Sequence, residues 1–387
     1  MKKIVVILFV SCLFTQCTCS SNNENKDGEI LTFKFDFDEE DPVNIFDIGL
    51  IYDVEILNLD CKEAIFSAID KIIKYRNRIY LLDIWQTRSV MIYDTLGNFV
   101  NLIQSFGQGP NEYTQLFDIF INHEDETLNL VSRGDKKILK YDLDGNIIKV
   151  ERMPQMFHQF SKTKNGYAGY LANSRISMDK PYNVWTLSDK IKLNKGFFEI
   201  DPTWESKSVS GTVFSNYEDR TYYITPMDFN VYCLDNDEFS IAYTFDFGKH
   251  TWPKTHREFD KYETLIRSLV HPIPRLDNFQ ETQNHIIAEV IHHGQTYLCV
   301  YNKQTHKTYI AFPDSYSDKY CFSFGRIIGT DENAIYTSIN ASDIKQYCIG
   351  RNQYVDFEAK YPEQVRRFRE KFPPVAEEGN PFLVIYY

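Results

Sequence analysis

The chain has 387 residues, 43% of them hydrophobic and 15% aromatic, and a formal net charge of −12. That is ample apolar material for a large core, while the acidic surface it implies repels phosphate backbones and argues against nucleic acid as a partner. The 26 Tyr and 29 Phe, set against 17 Gly and 14 Pro, favour β structure, because aromatic side chains pack well on pleated surfaces.

The first residues carry a strong local pattern. Lys2 and Lys3 precede an apolar run from Ile4 to Val10, extended by Leu13 and Phe14, and the chain turns polar from Thr18 to Glu29. This is the pattern of a secretory signal peptide, and the run is too short and broken for a membrane-spanning helix. Cys12, Cys17 and Cys19 close it. A cysteine there resembles the lipidation site of bacterial lipoproteins. Cys17 fits best, because the polar tether starts just after it, although Gln16 stands where a small residue is usual. The expectation is a signal peptide over 1–16, a lipid-anchored tether over 17–44 and a folded body over 45–387. Such a lipid would hold the protein on a membrane of the cell envelope, by expectation the outer one, on its periplasmic or surface face, without spanning it. Cleavage to a free mature protein is the alternative.

Five cysteines remain: Cys61, Cys233, Cys299, Cys321 and Cys348. The number is odd and no spacing suits a metal. Cys233 and Cys299 fall in strand-like runs and are predicted to be buried thiols.

Two segments of the body align. Arg78–Asp83 is followed by Ser89–Val100, and Glu126–Ser132 by Lys137–Ile148; Tyr93 and Tyr141 lie 48 residues apart, as do Gly97 and Gly145. Each unit reads as a short apolar strand, a second strand ending Tyr-Asp, a tight turn with Gly, and a third strand. The Gly supplies the positive φ of the turn, and Asp94 and Asp142 are expected to bond their own turn backbones. Fainter copies follow at Val184-Trp185, Val231-Tyr232 and Val300-Tyr301, and Ile335-Tyr336 begins a sixth. Two helix-like insertions, Thr255–Leu269 and Tyr361–Phe372, lengthen the spacing. Repeats of 40–50 residues indicate a β-propeller, here with room for six blades. Ile51–Leu57, lying before the first full unit, is predicted to pair with the last blade beside Phe382–Tyr386 and so remove the open edges.

Four stretches then carry a specific likeness: Phe106–Tyr113 (Phe-Gly-Gln-Gly-Pro-Asn-Glu-Tyr), the two Tyr-Asp-x-x-Gly-Asn turns, Tyr243–Lys249 with Pro253, and Asn380–Ile385. Across nearly the whole mature chain the sequence resembles the six-bladed propeller lipoproteins of Bacteroidetes, distant relatives of the NHL-repeat propellers. The resemblance implies the fold. It supplies no agreed activity and no catalytic residues.

The Ser105–Tyr113 loop departs furthest from ordinary hairpin chemistry. It should join the outer strand of blade one to the inner strand of blade two, and Gln108, Asn111, Glu112 and Tyr113 are the candidate ligand-contacting residues. A plain blade connector is the alternative. Its glycines do not form a phosphate cradle, since no Lys-Ser, Lys-Thr or helix follows. His292 and His293, with Gly294 next, read as a hairpin turn. His250, His256 and His271 lack zinc-hydrolase spacing, and Gly-x-Ser-x-Gly is absent from the sequence. The mixed charges of Glu363–Glu370 read as a solvated helix face.

Two functions follow. The first is a binding or scaffold module of the cell envelope, holding a glycan, a peptide or an envelope protein, with no cofactor. The second is a metal-dependent lyase or lactone hydrolase with ligands drawn from several blades at the channel. Fold alone does not separate them.

Overall fold

The computed structural model describes residues 30–59, 66, 68–174, 181–207, 211–225, 228–252, 260–261, 263, 272–317, 322–340, 362–363, 366 and 380–387. Its compact body runs from Leu31 to Tyr387. It is all-β, a six-bladed propeller.

Five blades are built consecutively. Blade one comprises Lys71–Tyr75, Arg78–Asp83, Ser89–Asp94 and Phe99–Ile103. Blade two comprises Leu116–Asn122, Thr127–Ser132, Lys137–Tyr141 and Ile147–Arg152, and blade three Gln159–Thr163, Gly166–Tyr170, Tyr182–Leu187 and Leu193–Glu199. Blade four runs through Phe214–Tyr217, Arg220–Ile224, Asn230–Asp235 and Glu238–Asp246, and blade five through Asp277–Glu281, His285–His292, Gln295–Asn302 and Lys307–Phe312. The first strand of each blade lies against the first strand of the next, and the six close a ring.

Blade six is composite. Ile327–Thr330, Ile335–Ile339 and Phe382–Tyr386 come from the C-terminal part, and Val54–Asn58 adds the outer strand in antiparallel register, Val54 opposite Tyr386 and Asn58 opposite Phe382. The closure expected from Ile51–Leu57 is therefore present. Ile335-Tyr336 is the second strand of this blade; its third follows the long insertion.

The N-terminal segment does more than close the ring. Leu31–Lys34 adds a parallel fifth strand to blade four, Val43–Asn44 does the same for blade five, and the segment reaches blade six at Val54. Residues 31–44, read from sequence as part of a tether, are thus a strap across the outer edges of blades four and five. The cause is visible in Leu-Thr-Phe-Lys-Phe: alternation sends Phe33 and Phe35 inward, where they are 1% and 2% exposed. Phe35 stacks on Phe245, and Phe33 meets Tyr301.

Every blade is covered on both sides, so central strands are apolar throughout rather than alternating. In Arg78–Asp83, Ile79 and Leu81 face blade six while Tyr80 and Leu82 face blade two. The Tyr-Asp-x-x-Gly-Asn turns have the structural role expected of them. Asp94 accepts from the amides of Leu96 and Asn98 and from the Asn98 side chain, with Gly97 at φ +84°; Asp142 does the same with Asp144 and Asn146, with Gly145 at φ +88°. Cys299 is buried and Cys233 half-buried, both as free thiols; the other cysteines lie outside the described residues. Of the two helix-like insertions, the helical residues described are Asp260, Lys261 and Glu263 in the first, and Pro362, Glu363 and Arg366 in the second. The remainder of both lies outside the described residues.

Candidate functional site

Each inner strand begins at the same face of the ring, and there the channel widens into a mouth of about 930 Å³. Its lining comes from the residues just before or at the start of inner strands (Asp70, Phe117, His158, Thr212, Arg275, Asp277, Arg326) and from turns between second and third strands (Trp85, Gly294, Gln295). A second space of about 470 Å³ continues along the axis. The two share Asp70, Gln159, Thr212, Asn278 and Arg326, which form the neck.

Most of the neck is held rigidly. Gln159 donates to the Gly211 carbonyl (2.6 Å) and accepts from the Val213 amide (2.9 Å). Asn278 donates to Glu289 and to the Ile327 carbonyl, both at 2.8 Å, and accepts from Gln280. Asp70 accepts from the Ile84 amide at 2.7 Å. Arg275 pairs with Asp277 at 2.6 Å. One blade-spanning anchor stands behind them: Asp118 accepts from Lys71 of blade one (2.7 Å) and from the Phe160 amide of blade three (2.9 Å). Side chains fixed by their neighbours present a binding surface without an ordering cost.

Three groups at the mouth stand apart. Arg326 is exposed and makes no ion pair or hydrogen bond among the described residues. The Oη of Tyr170, a residue 2% exposed, and the Nε of Arg275 are buried without a hydrogen-bond partner among them. Burial raises the carboxyls of Asp70, Asp277 and Glu289 above their ordinary range, and the charge of Arg326 acts against that rise at all three. Burial beside Arg133 lowers His158 to about 4, so it is neutral at physiological pH. Trp85 stands at the rim, 73% exposed. Among the described residues no group of three or more His, Cys, Asp or Glu side chains is arranged to hold a metal ion.

The Ser105–Tyr113 loop does connect blades one and two on the face of the mouth, but it borders a separate recess with Lys137 and Arg152. Two of its four candidate residues turn inward. Tyr113 is fully buried, its Oη donating to the Arg88 carbonyl at 2.5 Å. Glu112 curls back to accept from the Gly109 amide at 2.7 Å, and a Cβ on Gly107 would meet its carboxylate at 2.0 Å. Gln108 and Asn111 are exposed.

His293 and Gly294 form the expected turn, with φ of +50° and +74°. Sequence reasoning missed that His292 and His250 meet, their ring centroids 4.8 Å apart, and that His250 Nε2 lies 3.0 Å from Asp38 of the strap. It also missed the mouth. The available signal was positional: residues just before or at the start of the inner strands line the mouth, but the faint repeats of blades three to six do not mark those positions.

Comparison with known families fits this architecture. The DUF4934 family model, described as a domain of unknown function, matches residues 30–387. The chain belongs to the DUF4934 family. No curated protein matches this DUF4934 chain. Among solved structures, a protein of Bacteroides fragilis NCTC 9343 thought to be exported superposes with a TM-score of 0.73 at 16% identity, covering 93% of this chain and 99% of its own. A DUF4221 protein of Bacteroides vulgatus ATCC 8482 superposes with a TM-score of 0.51 at 11% identity, covering 87% and 96%. At such identities the likeness is one of fold.

Proposed function

We propose that this chain is an exported, lipid-anchored binding module of the cell envelope, related to the NHL-like propellers, whose ligand enters the channel mouth. The observation that carries the reading is Arg326: a guanidinium left unpaired in a neck where Asp70, Gln159 and Asn278 are held by hydrogen bonds. A rigid concave site with a few convergent polar groups is what small-ligand and peptide recognition requires. The basic start, apolar run and polar tether support export and a lipid on Cys17, and a related fold thought to be exported is in keeping with it. Gln108 and Asn111 would extend the contact surface along the same face.

Two measurements test this. Cys17→Ser should abolish palmitate labelling and release the protein from membranes; persistent labelling would discard Cys17 as the anchor site. A photo-crosslinking residue in place of Trp85 should trap a specific partner in cells, and one in place of Asn236, in a turn at the opposite end of blade four, should not. Equal trapping at both positions, or none at Trp85, would discard the mouth as the binding site.

A further inference from the structure

We propose that the mouth takes a polyhydroxylated ring ligand, a saccharide, bridged between Arg326 and the carboxylates facing it and stacked at the rim on Trp85. This deepens the binding reading above and rests on it.

The argument starts from what is unfilled. Arg326 has five N–H donors and no acceptor, while ionised carboxylates only accept. The charge of Arg326 reaches Asp70, Asp277 and Glu289, yet it forms no ion pair with any of them. Cation and carboxylates therefore face each other across open space. A group filling that space must accept on one side and donate on the other. A hydroxyl does both, and vicinal hydroxyls on a ring do so in pairs.

Charge selects against the alternatives. Two arginines, Arg275 and Arg326, stand against four acids, Asp70, Asp277, Glu289 and Asp314, so groups of both signs line the mouth with the acids in excess. A ligand carboxylate would satisfy Arg326 but meet four acidic groups. A ligand ammonium would suit the acids but meet Arg326. A neutral polyol meets neither repulsion, and its hydroxyl donors stabilise carboxylates whose charged form burial disfavours. The Oη of Tyr170, buried and unpartnered, offers one more group able to donate or accept. At the rim, the flat indole of Trp85 is 73% exposed. An aromatic face left in water beside a polar pocket suits the apolar C–H face of a pyranose.

The test uses the mature full-length protein and named probes: glucose, galactose, mannose and N-acetylglucosamine as neutral rings, with glucuronate and glucosamine as charged counterparts. Tryptophan emission is titrated up to the solubility of each sugar, and subtracting the Trp85→Phe variant isolates the rim indole. We expect at least one neutral pyranose to change Trp85 emission saturably and Arg326→Gln to weaken that response at least tenfold, while the melting temperature of each variant stays within a few degrees of the parent. Silence from every neutral ring overturns the proposal. So does binding of glucuronate or glucosamine with no neutral ring bound, since charge would then be the selector. Equal binding by Arg326→Gln and the parent also overturns it. If crosslinking through position 85 still traps a partner while every neutral ring is silent, the saccharide assignment fails and the mouth remains the binding site.

Discussion

Removing the N-terminal strap in two steps separates edge cover from ring closure. Deleting residues 30–42 strips Phe33 and Phe35, both almost fully buried, but leaves Val54–Asn58 in blade six. At about 1.5–3 kcal/mol per large buried apolar side chain, the loss is roughly 3–6 kcal/mol. Deleting 30–58 also removes Ile45, Leu50, Val54 and Leu57, each at most 6% exposed, and opens the ring. Six such side chains come to roughly 9–18 kcal/mol, which lies within or above the roughly 5–15 kcal/mol that holds a typical domain folded. The shorter deletion should therefore melt cooperatively at a lower temperature, and the longer one should show no cooperative transition. Near-UV circular dichroism during heating, with size-exclusion chromatography for compactness, reads both. A 30–58 deletion that melts like the 30–42 deletion would show that closure contributes nothing and would refute the reasoning.

Tyr113→Phe leaves the Arg88 carbonyl without its 2.5 Å donor and should cost about 1–3 kcal/mol in urea denaturation; an unchanged midpoint would mean the hydroxyl is only space-filling. Asp118→Ala strands both Lys71 and the Phe160 amide and should cost about 2–3 kcal/mol, with Asp118→Asn losing less. For His158, the folded pKa of about 4 lies below the ordinary value, so the unfolded chain takes up the proton first and stability is lost as pH falls from about 6.5 toward 4; His158→Phe should flatten that limb of a melting-temperature profile. Glu289 behaves oppositely. Burial raises its folded pKa, so the folded chain holds the proton longer, stability falls as pH rises through the raised value, and Glu289→Gln should remove that decline.

The fold was legible where physics repeats itself. Asp94 and Asp142 sit in identical turns because each must close a bulged hairpin, and a 48-residue spacing exposes that need twice. Closure could be read because Ile51–Leu57 and Phe382–Tyr386 are strands with no partner nearby in sequence. The strap was missed although Leu-Thr-Phe-Lys-Phe alternates, because nothing in that stretch marks Tyr243–Asp246 as its parallel partner. The loop drew attention through its glycines, but the glycines make room for Glu112 to fold back on its own backbone. Arg326 and Trp85 escaped notice for the opposite reason. Each is an unremarkable residue in its own stretch, and only ring closure gathers Asp70, Asp277, Glu289 and Arg326 at one mouth.

The composite sixth blade also sets a timetable. Val54 leaves the ribosome long before Tyr386, yet each completes the other's sheet. Contacts between residues so distant in sequence form late, so every shorter nascent chain carries an unmatched strand at its front and an open blade at its back. A message cut short anywhere before Phe382 yields a product that cannot close, however many complete blades it holds. Folding is therefore conditional on the last residues being made, and a degradative system needs no signal beyond the open edges to tell a finished molecule from an unfinished one.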